Sequence, residues 1–241
     1  MVYKGLTFLF TMASLLLVNV CNAQSNYFKL SGGLGVGPNY SYTDVYQGNW
    51  GYTAYGTLDA HLTPFITAGL EVQYGMIQGG NIQTDLHNRQ YINHYSSASA
   101  NVKFMLGEFV NYDKSDFLYS IRGLYAGLGV GVVNNKIVDI VRYRPPYSND
   151  PGFGPFPGKD KSLNLLVPLN LGINFFINDG YGYMRYAINL NAQSNVTFGE
   201  GLDGYNDPEN KFQNYSPDIF NAYTIGVKYF FGHIKVYRKT L

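Results

Sequence analysis

The sequence has one cysteine, Cys21, in 241 residues, which excludes a disulfide scaffold. Charged residues make up only 14%, against about 25% in an ordinary soluble domain. The formal net charge is +1, and no Lys/Arg stripe crosses the body of the chain, so nothing supports nucleic-acid binding. Past residue 23 no apolar run approaches the length of about 18 residues that a membrane helix needs, which excludes a helical membrane bundle. Low charge does not imply disorder either. Aromatics reach 17%, with 23 tyrosines and 16 phenylalanines, and a disordered chain is poor in both.

The start of the chain is set apart. Lys4 gives a positive beginning, Leu6 to Val20 is an apolar run, and Cys21-Asn22-Ala23 places small residues before Gln24. This is the pattern of a secretory signal peptide spanning residues 1–23 and cleaved after Ala23. A lipoprotein signal requires a small residue before its cysteine, and Val20 is not small. Cleavage removes Cys21 and Lys4, so residues 24–241 carry no thiol and no net formal charge.

What remains alternates with period two, the mark of strands with two unlike faces. From Phe65 to Ile77, Ile66, Ala68, Leu70, Val72, Tyr74 and Met76 share one face, and Thr67, Gly69, Glu71, Gln73 and Gly75 share the other. From Leu163 to Phe175 the odd positions are apolar without a break. Six further segments follow the rule: Tyr27–Gly37, with Phe28, Leu30, Leu34 and Val36 apolar, then Tyr52–Leu62, Tyr95–Leu106, Leu118–Val132, Tyr183–Ser194 and Ala222–Phe231. Eight strands of this length fit a bilayer, which a tilted strand crosses in about 9–11 residues.

The links point the same way. Thr63-Pro64, residues 107–117 and Asn178-Asp179-Gly180 are the shorter ones, and residues 38–51, 78–90, 134–162 and 195–221 the longer. Short turns at one end and long loops at the other describe an all-β, eight-stranded antiparallel up-and-down transmembrane β-barrel with both termini on the short-turn side. A soluble lipocalin-like barrel has the same alternation with the faces inverted. Its water-facing side would carry more charge than the Gly, Asn, Ser, Thr and Tyr found here. Pro168 falls within a strand on the polar face and predicts a bulge.

The signal peptide, the eight alternating segments and the closing run Tyr223-Thr224-Ile225-Gly226-Val227-Lys228-Tyr229-Phe230-Phe231 resemble the eight-stranded outer-membrane β-barrel family, the OmpA-transmembrane-domain and OmpX-like proteins. The composition is similar to that of such proteins from Bacteroidetes-type bacteria. The resemblance covers residues 24–231 and implies bacterial outer-membrane localisation with periplasmic termini. It further implies a monomer, a lipid and lipopolysaccharide surround, and recognition of the aromatic-ended last strand by barrel-insertion machinery. Residues 232–241, with His233, Lys235, Arg238 and Lys239, read as a basic periplasmic tail.

Several groups could carry chemistry. Asp59, His61, Glu71, Lys103, Arg185 and Lys228 all fall on the polar face. Inside a bore just wide enough for side chains such charges must pair, which predicts a lumen charge cluster that blocks the pore, with a proton or ion gate as the alternative. Gly123, Gly127, Gly129 and Gly131 are expected to make room for Tyr55, Tyr95 and Tyr125. His94, Ser96 and Asn134 share outward parity near the loop end. A Ser–His–Asn set can run acyl transfer, and the arrangement resembles outer-membrane phospholipase A; polar residues in a headgroup belt are the plainer reading. Asp203, Asp207 and Glu209 match no calcium-loop spacing. Tyr143, Tyr147, Phe153, Phe156, Tyr205, Phe212 and Tyr215 lie in long loops and suit protein or glycan contact, or packing on one another above the barrel. The expectation is a non-enzymatic barrel without cofactor or metal, acting structurally or through its loops on a surface protein or glycan. A lipid-modifying hydrolase and a narrow channel are the alternatives.

Overall fold

The computed structural model describes residues 24–85, 87–143, 156–199, 201–206 and 217–238; the signal segment lies outside them. The strands are β1 (Gln24–Tyr42), β2 (Gly48–His61), β3 (Ile66–Gly80), β4 (Gln90–Met105), β5 (Leu124–Ile140), β6 (Lys161–Asn178), β7 (Met184–Phe198) and β8 (Ile219–Arg238). Each pairs antiparallel with its sequence neighbour, and β8 pairs back to β1. The result is a closed eight-stranded all-antiparallel β-barrel, so every central strand edge is satisfied within the ring.

The outward face is the apolar one. Leu34 is 74% exposed and Leu70 62%, whereas Asp59, Glu71, Lys103 and Lys228 on the opposite parity are all buried. This inverts the soluble barrel and puts the greasy side where acyl chains would lie. Outward aromatics collect toward the ends of the aliphatic band. Toward the loop end Trp50 meets both Tyr40 and Tyr223 (5.2 and 6.2 Å between centroids). Toward the terminus end Tyr229 meets both Tyr186 and Phe231 (5.4 and 6.0 Å). Aromatic girdles flanking an apolar band are the exterior of a membrane-spanning barrel.

The strands are longer than the alternation indicated, from 14 residues in β2 to 20 in β8. Much of the expected 38–51 loop is therefore ladder, with only 43–47 connecting β1 to β2. Hydrogen-bonded pairing continues above the apolar band because a strand needs polarity on neither face to hold its partner. Four other expectations change. Residues 118–121 belong to a helix, not to strand five. The connection after β4 holds α1 (Leu106–Phe109), a 3-10 turn (Tyr112–Lys114) and α2 (Asp116–Ile121), with Asp116 in the first turn of α2, where a carboxylate suits the helix dipole. Residues 232–238 are not a tail: β8 continues to Arg238 against Gln24–Phe28. Gly232, at φ +92°, absorbs the register shift there, and the irregularity turns Phe28 inward, onto Phe230 and Ala187. Pro168 makes no bulge. Its register with β7 and β5 is unbroken, and pairing to β5 merely skips residues 167 and 168, because the missing N–H faces that side.

The exposed band makes a direct prediction. Leu70→Arg, at mid-band, is expected to lower stability in lipid vesicles by about 2–4 kcal/mol, as a cation facing hydrocarbon does, measured by urea titration. A change below about 0.5 kcal/mol, the usual result at a watered surface, would place that face in water.

Candidate functional site

The bore is filled in three layers. At mid-height β2 and β8 bring Lys228 Nζ within 2.6 Å of Asp59 Oδ2. On the adjoining strands Lys103 Nζ lies 3.4 Å from Glu71 Oε2. Glu71 Oε1 also accepts from the side-chain amides of Gln73 and Gln193, each at 2.8 Å, and those two amides bond each other. Lys103 further lies 5.8 Å from the Tyr125 ring centroid. Amides and phenols extend this network: Tyr55 OH donates to Asn189 Oδ1, and Asn189 Nδ2 donates to Tyr125 OH, both at 3.0 Å.

Two of the expected residues stand outside that network. His61 shares a hydrogen bond with Ser31 Oγ at 2.9 Å, its ring 5.1 Å from Phe230. Arg185 points to the terminus-end mouth, 3.2 Å from Asp179 Oδ2 and 4.0 Å over the Phe28 ring. It leaves the lumen cluster because the 179–183 turn offers a carboxylate closer than those in the bore. Glycine placement also differs from expectation. A side chain at Gly35 or Gly226 would strike Tyr55, at Gly75 Tyr95, and at Gly172 Tyr125. The strand-five glycines Gly127, Gly129 and Gly131 instead clear Lys103, Asn101 and Ser99, and Gly123 clears the Asn174 backbone. The tyrosines reach across to other strands, which parity does not reveal.

Asp59, Glu71, Lys103 and Lys228 are each 2–4% exposed, so water does not reach them through the bore. Both ends are closed by apolar groups at inward parity. Phe65, Met105, Tyr112 and Tyr125 form a floor with Leu118 and Phe176. Ile77, Tyr91, Tyr95, Val133, Leu166 and Phe220 form a ceiling under Phe156, Leu202 and Tyr205 from the loops. The sequence held a signal for both layers: apolar residues at polar parity gather near strand ends.

The loop ends are stitched onto this ceiling. Tyr205 OH donates to Val141 O at 2.8 Å and accepts from Gln90 N at 3.2 Å. Asn93 Nδ2 donates to Leu202 O at 2.8 Å, and Arg142 pairs with Asp160 at 2.6 Å. Phe156 and Tyr205 are thus lid residues, buried and 6.0 Å apart edge to face, whereas Tyr143 is exposed. Tyr147, Phe153, Phe212, Tyr215, Asp207 and Glu209 lie outside the described residues. Asp203 is buried and accepts from Tyr205 N at 2.9 Å.

On the exterior, Ser96 lies directly opposite Asn134 in the β4–β5 ladder, and His94 opposite Lys136. His94 Nδ1 meets Tyr74 OH at 3.5 Å. Among the described residues no hydrogen bond joins His94 to Ser96 or Asn134, and Ser96 and Asn134 are exposed. The three are neighbours by register without the nucleophile–base contact that acyl transfer uses. Toward the same end, Lys136 lies opposite Lys161 across β5 and β6. Lys161, Lys159, Asn164 and Asn206 line an open cavity of about 470 Å³.

Two predictions follow from this geometry. Lys228→Met alone strands the Asp59 carboxylate in the dry bore and is expected to cost about 3–5 kcal/mol, while Asp59→Asn with Lys228→Met recovers most of that loss in a double-mutant cycle read by urea unfolding. The second concerns the 179–183 turn. Desolvation pushes the Asp179 carboxyl up, but the N–H groups of Tyr183 and Tyr181 and the Arg185 guanidinium hold it below its ordinary 3.8. A carboxyl held low in the folded state contributes fully above its unfolded value and loses that contribution as pH falls through the folded one. Protection of the Tyr181 and Tyr183 amides, taken as exchange relative to the intrinsic rate at each pH, is therefore expected to fall as pH drops below 3.8, and Asp179→Asn to remove that change in protection.

No protein-family model matches the chain, and a search of curated proteins finds no match. Among solved structures it is similar to Neisserial surface protein A, at 9% identity over 87% of this chain and 99% of that one, with a TM-score of 0.46. It is similar to Ail, the attachment invasion locus protein of Yersinia pestis, at 12% identity over 85% and 99%, TM-score 0.41. It is also similar to the outer membrane protein OprG from Pseudomonas aeruginosa, at 10% identity over 86% and 98%, TM-score 0.39. The chain's own ladder gives it the closed eight-stranded form.

Proposed function

We propose that this chain is a non-enzymatic protein of the bacterial outer membrane, with its termini in the periplasm. Its role is structural, or that of a surface-interaction protein working through the loop end. The observation that carries this reading is the dry, ion-paired bore inside an apolar exterior. Such a body anchors in a bilayer without passing solutes, which leaves the loop end as the surface open to partners. The His94, Ser96 and Asn134 set lacks the contacts of a hydrolase, and the closed bore speaks against a channel.

The lysines at the loop end add a chemical preference. Like charges placed opposite each other on a ladder are destabilising, and among the described residues no ion pair offsets Lys136 or Lys161. Leu163, two positions along the same face, is 69% exposed. Cations just beyond an apolar band suit the phosphorylated head of an outer-leaflet lipopolysaccharide, or an acidic surface glycan.

Cysteine labelling tests the placement, since the processed chain has no thiol of its own. Tyr143→Cys at the loop end is expected to react with an impermeant maleimide on intact cells. Tyr181→Cys in the β6–β7 turn is expected to react only after the outer membrane is broken. The reverse pattern would overturn the orientation, and recovery of the protein in the soluble fraction would overturn the localisation. In planar bilayers the purified barrel is expected to show no unitary conductance.

A further inference from the structure

The ring closes, but its seam overshoots the wall. β8 runs on past its last pairing with β7, Tyr186 with Tyr229, and reaches Arg238 with only Gln24–Phe28 of β1 beside it. Residues 232–238 are thus one strand of a two-stranded ribbon beyond the barrel. In an antiparallel ladder every second residue turns both its N–H and its C=O away from the partner. Among the described residues no backbone hydrogen bond outside the β1 ladder reaches 232–238. Those groups form an open edge, on which a further strand can pair.

The ribbon is braced. Tyr27 and Phe28 are buried, Tyr27 OH donates to Leu62 O at 2.9 Å, and Tyr237 OH donates to Glu108 Oε1 at 2.7 Å. The two faces of the open strand differ in chemistry. Ile234 and Val236, opposite Phe28 and Asn26, are 47% and 61% exposed. Lys235, opposite Tyr27, alternates to the other face with His233, and both are exposed. An added strand shares these faces, because side chains alternate in step across a sheet. It would place apolar residues beside Ile234 and Val236 and acidic ones beside Lys235 and His233. A second copy of this edge fits badly. One register sets Lys235 and His233 against the same residues of the copy, and a slip by one sets them against Ile234 and Val236.

We propose that the free edge of β8 over residues 232–237 binds an extended peptide of alternating acidic and apolar residues, which joins the sheet as a further strand. Main-chain hydrogen bonds hold the peptide, and the side chains on the two faces select its sequence. The inference rests on the ladder and not on the function or localisation proposed above.

The test uses the folded, processed barrel in zwitterionic nanodiscs, with hydrogen exchange read at each amide from 233 to 237. Three capped peptides of about six residues serve as probes: alternating Glu and Val, alternating Lys and Val, and a block of Glu followed by a block of Val. At saturation the alternating Glu–Val peptide is expected to slow every second amide about fivefold or more, the net worth of one backbone hydrogen bond, and to slow the amides between them far less. It is expected to bind about fivefold or more tightly than the Lys–Val peptide, and more tightly than the block peptide. Lys235→Glu, at a solvent-facing position, is expected to reverse the charge preference while leaving the β1-bonded amides as they were. No slowing, equal slowing of all these amides, or equal binding of the three peptides overturns the proposal. Slowing without peptide as barrel concentration rises would assign the edge to a second copy. Slowing without peptide when anionic lipid replaces zwitterionic would assign it to the membrane. Either result overturns the peptide assignment.

Discussion

Everything in this molecule depends on closing the ladder with its apolar face outward. Once β8 pairs with β1, the backbone needs no water along the barrel wall, and the exposed leucines and valines can face hydrocarbon. The same closure forces every polar side chain at inward parity into a narrow, dry bore. A charge there has no solvent to turn to, so Asp59 must meet Lys228 and Glu71 must meet Lys103. The amide chains around Glu71 and Asn189 answer the same demand, and the paired glycines let the tyrosines lie across the bore.

The ends obey a different rule. Beyond the apolar band the wall no longer constrains the polarity of the interior, and both ends close with aromatic and aliphatic side chains. At the loop end the ceiling recruits Phe156, Leu202 and Tyr205, so part of the loop material is spent on sealing. At the terminus end two short helices and a 3-10 turn lay Tyr112 and Arg122 over the floor. The barrel is thus solid in the middle, with its chemistry confined to its rims: lysines and Tyr143 at one, the open edge of β8 at the other.

The alternation along the chain located all eight strands, because a two-sided environment imposes period two wherever one face meets lipid. It failed at the ends of strands, where that environment stops. Residues 118–121 alternate in hydrophobicity yet form a helix, since nothing at the mouth enforces a pleat. The 38–42 and 48–51 stretches carry turn-prone residues yet stay paired, since the ladder above the band is held by backbone hydrogen bonds. Parity failed at Phe28 because a bulge is a backbone event with no signature in side-chain polarity.

By itself the sequence determined the strand number, the face that meets lipid and the need for buried charges to pair, all of which follow from local period and composition. Only the tertiary structure decided which charges pair, that Arg185 turns to Asp179 instead, that His94 meets Tyr74 and not Ser96, and that the chain beyond Phe231 pairs with the start of β1. Those choices are contacts between residues far apart along the chain, fixed by shear and closure of the ring, and no local pattern encodes the distance across a bore.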